Sequence, residues 1–169
     1  YHRDTFSGKR YQVHPSIASF GHPVPLIDDI QQRTGRDAEA KVVEADLSED
    51  LDVFELDIAS AYPVDGLKIL RRRFQYDRTG MGSLQVTDTF EVEHPVTFET
   101  ALTTHGTWEQ TNVDTLVITV GDEKLKAEIT GPPCGWTVSG TTIEDNAPPY
   151  TRIAVRLNES LPAGKVTLI

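Results

Sequence analysis

Only one cysteine, Cys134, stands in the 169-residue chain, which excludes an internal disulfide and any cysteine-rich zinc site. A thiol set between Pro133 and Gly135 says little about redox compartment. No apolar run reaches the roughly 18 residues that a membrane-crossing helix needs. The opening Tyr1-His2-Arg3-Asp4 is neither a signal peptide nor a translation start, so the chain reads as an excised part of a larger protein. Positive charge is short as well: 16 Lys and Arg stand against 26 Asp and Glu, a formal net charge of −10. That field repels nucleic acid and anionic membranes, so neither is expected as a partner, and any polyanion site must be local. Internal repeats, low-complexity tracts and domain linkers are missing. Ser7, Ser16 and Ser19 lack a nucleophile-elbow context and no glycine-rich phosphate loop occurs, which leaves hydrolase triads and nucleotide binding without support.

Helix periodicity is nearly absent too. The best stretch, Asp28 to Ala40, has too few apolar anchors in Ile30 and Ala38 and is interrupted by Gly35, so it reads as a loop leading into a strand. What is present is a period of two. Short runs occur around Tyr11-Gln12-Val13 and Ala40 to Val43, and Val53 to Ile58 alternates as a strand with one wet face. The clearest unit is a hairpin from Leu67 to Val92 turning at Asp77 to Gly82. In its second arm Leu84, Val86, Asp88, Phe90 and Val92 share one face, which puts an acid among apolar neighbours. Arg72 falls on the matching face of the first arm, with Leu70, Phe74 and Tyr76. The pair reads as an internal ion pair, with a functional carboxylate as the other reading. Further strands are expected over Val96 to Leu102, Leu116 to Val120, Lys124 to Ile129, Trp136 to Ser139, Tyr150 to Leu157 and Lys165 to Ile169. About ten or more short strands with turn signals between them predict an all-β, antiparallel β-sandwich, one domain over residues 1 to 169. A chain this long buries roughly two-thirds of its unfolded surface, enough for its own core.

The residues that could carry chemistry are few. The five histidines show no metal-ligand spacing, and no metal site closes from sequence. His14 and His94, each before a proline, read as turn residues at strand ends without a carboxylate near in sequence, and His105 as an exposed strand end. His22 differs. Pro23 and Pro25 fix the backbone around it, forcing extended geometry and giving the imidazole a defined direction, with Leu26-Ile27 as a strand and Asp28-Asp29 as a turn behind it. In Arg71-Arg72-Arg73 alternation lets Arg71 and Arg73 act together, either on a uronate or sulfate or as a solvated face.

Several stretches in order resemble the C-terminal β-sheet region of the heparinase II/III-like polysaccharide lyases. They are Thr5 to Tyr11; His22 to Asp29 with Gln32, Gly35 and Ala38; Leu56 to Pro63; and the arginine-rich strand leading to Val86 through Phe90. The resemblance covers about residues 1 to 105. Pro23 stands where members often have Asn, and Asp29 where they often have Gly. The resemblance implies a parent with an N-terminal α-helical domain, joined to antiparallel sheets, that cleaves uronic-acid polysaccharides by β-elimination. In such chemistry a base takes the C5 proton, an acid protonates the leaving oxygen, and the carboxylate charge is neutralised. The resemblance places the main catalytic residues upstream, so no catalytic residue is assigned here and the isolated chain is expected to be inactive. It makes His22 a metal-shell residue, counterpart of a histidine that in some members helps hold a structural zinc. Zinc is thus expected in the full-length parent and no cofactor in the isolated chain. Arg71 and Arg73 are the candidate contacts to an acidic polysaccharide. The alternative is a carbohydrate-binding or structural β-sandwich in which His22 is packing.

Overall fold

The computed structural model describes residues 14–145 and 148–169, so the expected strand at Tyr11 to Val13 lies outside the described residues. Among the described residues twelve strands form in chain order: β1 (Leu26–Ile27), β2 (Lys41–Leu47), β3 (Leu51–Asp57), β4 (Leu67–Asp77), β5 (Ser83–Val96), β6 (Phe98–Thr104), β7 (Thr107–Asn112), β8 (Thr115–Val120), β9 (Glu123–Thr130), β10 (Trp136–Ile143), β11 (Tyr150–Leu157) and β12 (Leu161–Leu168). They make two sheets, four-stranded in the order β1-β6-β11-β10 and eight-stranded in the order β2-β3-β4-β5-β12-β9-β8-β7, with antiparallel pairing throughout. The all-β sandwich that the alternation predicts is the fold observed.

The sheets meet through the residues that the period of two puts inward. Leu70, Phe90, Val92 and Val166 of the large sheet face Phe98, Ile153 and Val155 of the small one, all at 3 % exposure or less. Phe90 and Phe98 stack across the gap with centroids 4.3 Å apart and rings 8° from parallel. Gly164 on β12 makes room for that stack, because a Cβ there would stand 2.7 Å from the Phe90 ring.

Three local features depart from the alternation. β7 carries only Trp108 as a large apolar group and is an edge strand with one neighbour; its polarity hid it in the sequence. β5 runs on past Val92 through Pro95. Its β4 partner ends at the Leu67–Val92 pair, with Glu93 N donating to Gly66 O at 3.0 Å just beyond, and the pairing with β12 shifts register between Glu91 and Val96, so Pro95 falls at an irregularity, where proline is tolerated. Leu84 shares the apolar face but is 51 % exposed, since the small sheet has half as many strands as the large one and leaves the hairpin end uncovered.

Asp28 and Asp29 form the turn expected of them, with φ of 50° and 61°, between the bridged pair Ile27 and Ile30. Two consecutive left-handed residues make a type I′ turn, which favours Gly or a short side chain able to bond locally. Asp28 Oδ1 instead bonds across to the start of β6, accepting from Thr97 N at 2.8 Å.

Phe90 carries the inter-sheet packing most directly. Phe90→Ala is expected to lower unfolding free energy by about 3–5 kcal/mol, read from urea titration, because the stacked Phe98 cannot fill the void.

Candidate functional site

The segment His14 to Ile30 is a strap that crosses the outer face of the four-stranded sheet and then joins the edge of that sheet as β1. On β11 the residues Ile153, Val155 and Leu157 belong to the core, so Tyr150, Arg152, Ala154 and Arg156 turn to the opposite face. The strap lies there. Tyr150 Oη donates to Gly21 O at 2.8 Å, Arg152 Cζ lies 5.0 Å from the centre of the Phe20 ring, and Arg156 holds Asp29 through Nη1 at 2.6 Å and Nη2 at 3.1 Å. The hydrogen bond from Arg156 keeps the Asp29 carboxyl below its usual pKa, and Asp29 in turn raises Arg156.

Local chemistry shapes the strap. His14 O accepts from Ile17 N at 2.9 Å and Ala18 N at 3.1 Å, turning the chain into a short 3-10 helix, Ser19–Gly21. Gly21 is required by close approach, since a Cβ would stand 2.2 Å from Pro15 O. His22 then leaves in extended geometry, φ −107° and ψ 159°, as the prolines after it demand. Tyr62 Oη donates to Pro25 O at 2.7 Å, and burial pushes that phenol well above its usual pKa, keeping its proton in place for the bond.

Beneath the strap an ion pair joins everything. Arg72 and Asp88 are direct register partners on β4 and β5, and Arg72 Nε and Nη2 meet Asp88 Oδ1 and Oδ2 at 2.7 Å each. Thr100 on β6 donates to Asp88 Oδ2 at 2.6 Å and accepts from Arg72 Nη2 at 3.0 Å. The remaining arm, Arg72 Nη1, donates to Pro23 O, the residue next to His22. Burial works against the Arg72 charge, but the carboxylate of Asp88 outweighs it and leaves the guanidinium above its ordinary pKa.

His22 itself is exposed and stands between two clefts. One, of about 510 Å3, is walled by Ser16, Gly21 and Pro23 of the strap and by Thr103, His105 and Tyr150. The other, of about 480 Å3, lies on the side of Gln32, Arg33 and Ala38. His105 is exposed at a strand end, as expected, with its ring 5.7 Å from Tyr150. His94 is exposed too, inside β5 rather than at a turn. His14 departs from the expectation more. It is 8 % exposed, and its carboxylate partner comes 131 positions later: Nδ1 lies 3.0 Å from Asp145 Oδ1, and Ser16 Oγ donates to Asp145 Oδ2 at 2.6 Å. A carboxylate only accepts, so Nδ1 carries the hydrogen.

Arg71 and Arg73 share a face, but it is the one opposite the strap, so the structure does not bring them to His22. Both are matched by carboxylates. Arg71 Nη1 lies 3.5 Å from Glu55 Oε1, while Arg73 Nη1 reaches Glu55 Oε2 at 2.9 Å and also pairs with Glu44. Among the described residues no three His, Cys, Asp or Glu side chains gather as a metal cluster. Sequence reasoning missed Arg152 altogether: followed by Ile153, Ala154 and Val155, it reads as the wet side of an ordinary strand, whereas the structure buries it with the remote Phe20 over its guanidinium and Glu99 beside it.

These two unequal sheets crossed by an N-terminal strap define an all-β sandwich of a kind already seen in solved polysaccharide-degrading enzymes. The chain is similar in structure to heparinase III, with a TM-score of 0.65 at 10 % identity over 87 % of this chain and 23 % of that one. A lysine-methylated form of heparinase III matches with a TM-score of 0.66 at 12 % identity over 99 % and 25 %. Heparan sulfate lyase from Pedobacter heparinus matches with a TM-score of 0.58 at 13 % identity over 87 % and 23 %. The resemblance to heparinase II/III-like proteins therefore holds at the level of fold, and the chain spans about a quarter of the length of these enzymes. No protein-family profile matches the chain, and no curated protein matches it.

Asp88 tests the network. Asp88→Asn leaves a buried guanidinium without its counter-charge and is expected to cost about 3–5 kcal/mol of stability in a urea titration.

Proposed function

We propose that the chain is the β-sandwich module of a heparinase II/III-like polysaccharide lyase that cleaves uronic-acid polysaccharides by β-elimination. The observation that carries this is the alignment of 99 % of the chain with heparinase III at a TM-score of 0.66. In this reading the acid and base of the elimination belong to the rest of the parent, including an α-helical domain of the same polypeptide, and the isolated chain is inactive. Its own part is to hold the strap in place beside the substrate. Support for that role comes from the strap's geometry: a rigid exposed His22 between two clefts, anchored through Pro23 to Arg72.

His22 supplies one imidazole to a zinc of the parent whose other ligands come from outside the described residues. Bound zinc would serve there to fix the strap against its neighbours. Arg71 and Arg73 contribute on the outer face, where anionic groups of the polysaccharide compete with Glu44 and Glu55 for the two guanidinium groups.

The test uses both the isolated chain and the intact protein. On heparan sulfate and related uronates the chain alone is expected to give no rise in the ultraviolet absorbance of the unsaturated product, whereas the intact protein gives one. His22→Ala is expected to lower turnover and bound zinc of the intact protein by about 10-fold or more. In the isolated chain the same change costs about 1 kcal/mol or less, because the ring is exposed. An intact variant with unchanged turnover and metal content would refute the assignment of His22, and turnover by the isolated chain would refute the division of labour.

A further inference from the structure

Three buried side-chain nitrogens lack a hydrogen-bond partner among the described residues: His14 Nε2, Arg152 Nε and Arg152 Nη2. Neither residue lines the cleft shared by His22 and His105, but both adjoin residues that do. Arg152 stands directly across from Thr103 on β6 and two residues along one face from Tyr150, and both of these line the cleft. His14 is tied through Asp145 to Ser16, which lines it as well. Orphaned buried polar groups are rare in folded proteins and call for an explanation.

The two free atoms of Arg152 form one particular edge. Nη1 donates to Glu99 Oε1 at 2.5 Å, and the opposite edge of the planar guanidinium is the Nε–Nη2 pair. That edge presents two parallel N–H groups at the spacing of the two oxygens of a carboxylate. The same protein shows it loaded: Arg72 uses Nε and Nη2 to hold both oxygens of Asp88. Glu99 lies four register pairs beyond Thr103, the second residue along the same face, on the side away from the cleft, so the empty edge is the one nearer Thr103 and Tyr150.

We propose that the Nε–Nη2 edge of Arg152 is a carboxylate-binding fork, filled by the carboxylate of an acidic sugar that comes in from the cleft between the strap and the ends of β6 and β11. That the carboxylate belongs to a sugar rests on the lyase reading above; that the edge takes a two-oxygen anion rests on the guanidinium, and the carboxylate on the occupied fork of Arg72. Two carboxylates on one guanidinium are tolerated in this protein, since Arg73 lies between Glu44 and Glu55. The cleft, of about 510 Å3, falls in the range of roughly 300–1,000 Å3 typical of small-ligand sites. Arg152 is 2 % exposed beneath Phe20, so the ring swings aside as the carboxylate seats. The hydroxyls of Ser16 and Thr103 and the ring of His22 then face the remainder of the sugar.

The experiment titrates the chain, labelled with 15N-arginine, with D-glucuronate and, separately, with uncharged D-glucose. The Nε–H resonance of Arg152, assigned by its loss in Arg152→Lys, is expected to move with glucuronate and stay still with glucose. Arg152→Lys keeps the charge facing Glu99 but removes the fork, and is expected to bind glucuronate about 10-fold more weakly by calorimetry. If that variant does not fold, backbone-linked assignment of the wild-type resonance carries the test. No movement with glucuronate, or equal movement with glucose, would mean that solvent fills the edge and overturns the proposal. Turnover by the intact protein without that movement sinks the fork and leaves the lyase reading. Movement without turnover keeps the fork and sinks the lyase reading.

Discussion

A guanidinium taken out of water needs an acceptor for every arm and an opposite charge close by, and Arg72 finds both between the sheets. Asp88 takes one edge, Thr100 bridges to the small sheet, and Pro23 O takes the last arm. The desolvation that this burial costs is offset only while the geometry is complete, which makes the site all-or-none. Three separate pieces of chain thus depend on one side chain: the hairpin β4–β5 that carries the ion pair, the strand β6 that supplies Thr100, and the strap that supplies a carbonyl. Tyr62 and Arg156 hold the strap at two further points, Pro25 and Asp29, but each does so by less buried or fewer bonds.

How much of this was legible depended on whether the cause lay near in sequence. Asp88 was found because it breaks an alternation of apolar residues, and its partner because Arg72 falls on the matching face of the same hairpin. Register within a hairpin follows from the period of two. The Asp28-Asp29 turn was found for a similar local reason. His14 was read as a turn residue, since its carboxylate, Asp145, comes from the far end of the chain and nothing in the pattern connects them. Arg152 was invisible for the same reason, since Phe20, which lies over its guanidinium, and Glu99, which holds its Nη1, are both remote in sequence. β7 escaped because an edge strand with one neighbour has little need of apolar residues.

The same logic explains how a chain can share its fold with heparinase III at 10 % identity. Alternation and a few inter-sheet contacts suffice to specify two packed antiparallel sheets, and many side chains satisfy them. Surface groups are free to differ. The paired Arg71 and Arg73 and the cleft groups around His22 lie on opposite sides of one scaffold, and in the proposed reading they are the groups that meet substrate and metal.

The central claim is that Arg72 and Asp88 fasten the strap to the sandwich rather than merely filling its core. Replacing both together, Arg72→Met with Asp88→Leu, removes the charges in balance and leaves an apolar filling of similar volume, so the sandwich itself should stay folded. Amide hydrogen exchange then separates the two roles. The hydrogen-bonded strap amides, among them Val24 and Asp28, are expected to be protected in the wild type and to exchange much faster in the double variant, while those of β5 and β12 stay protected. Equal protection of the strap in both proteins, or loss of strap and core together, would contradict the account.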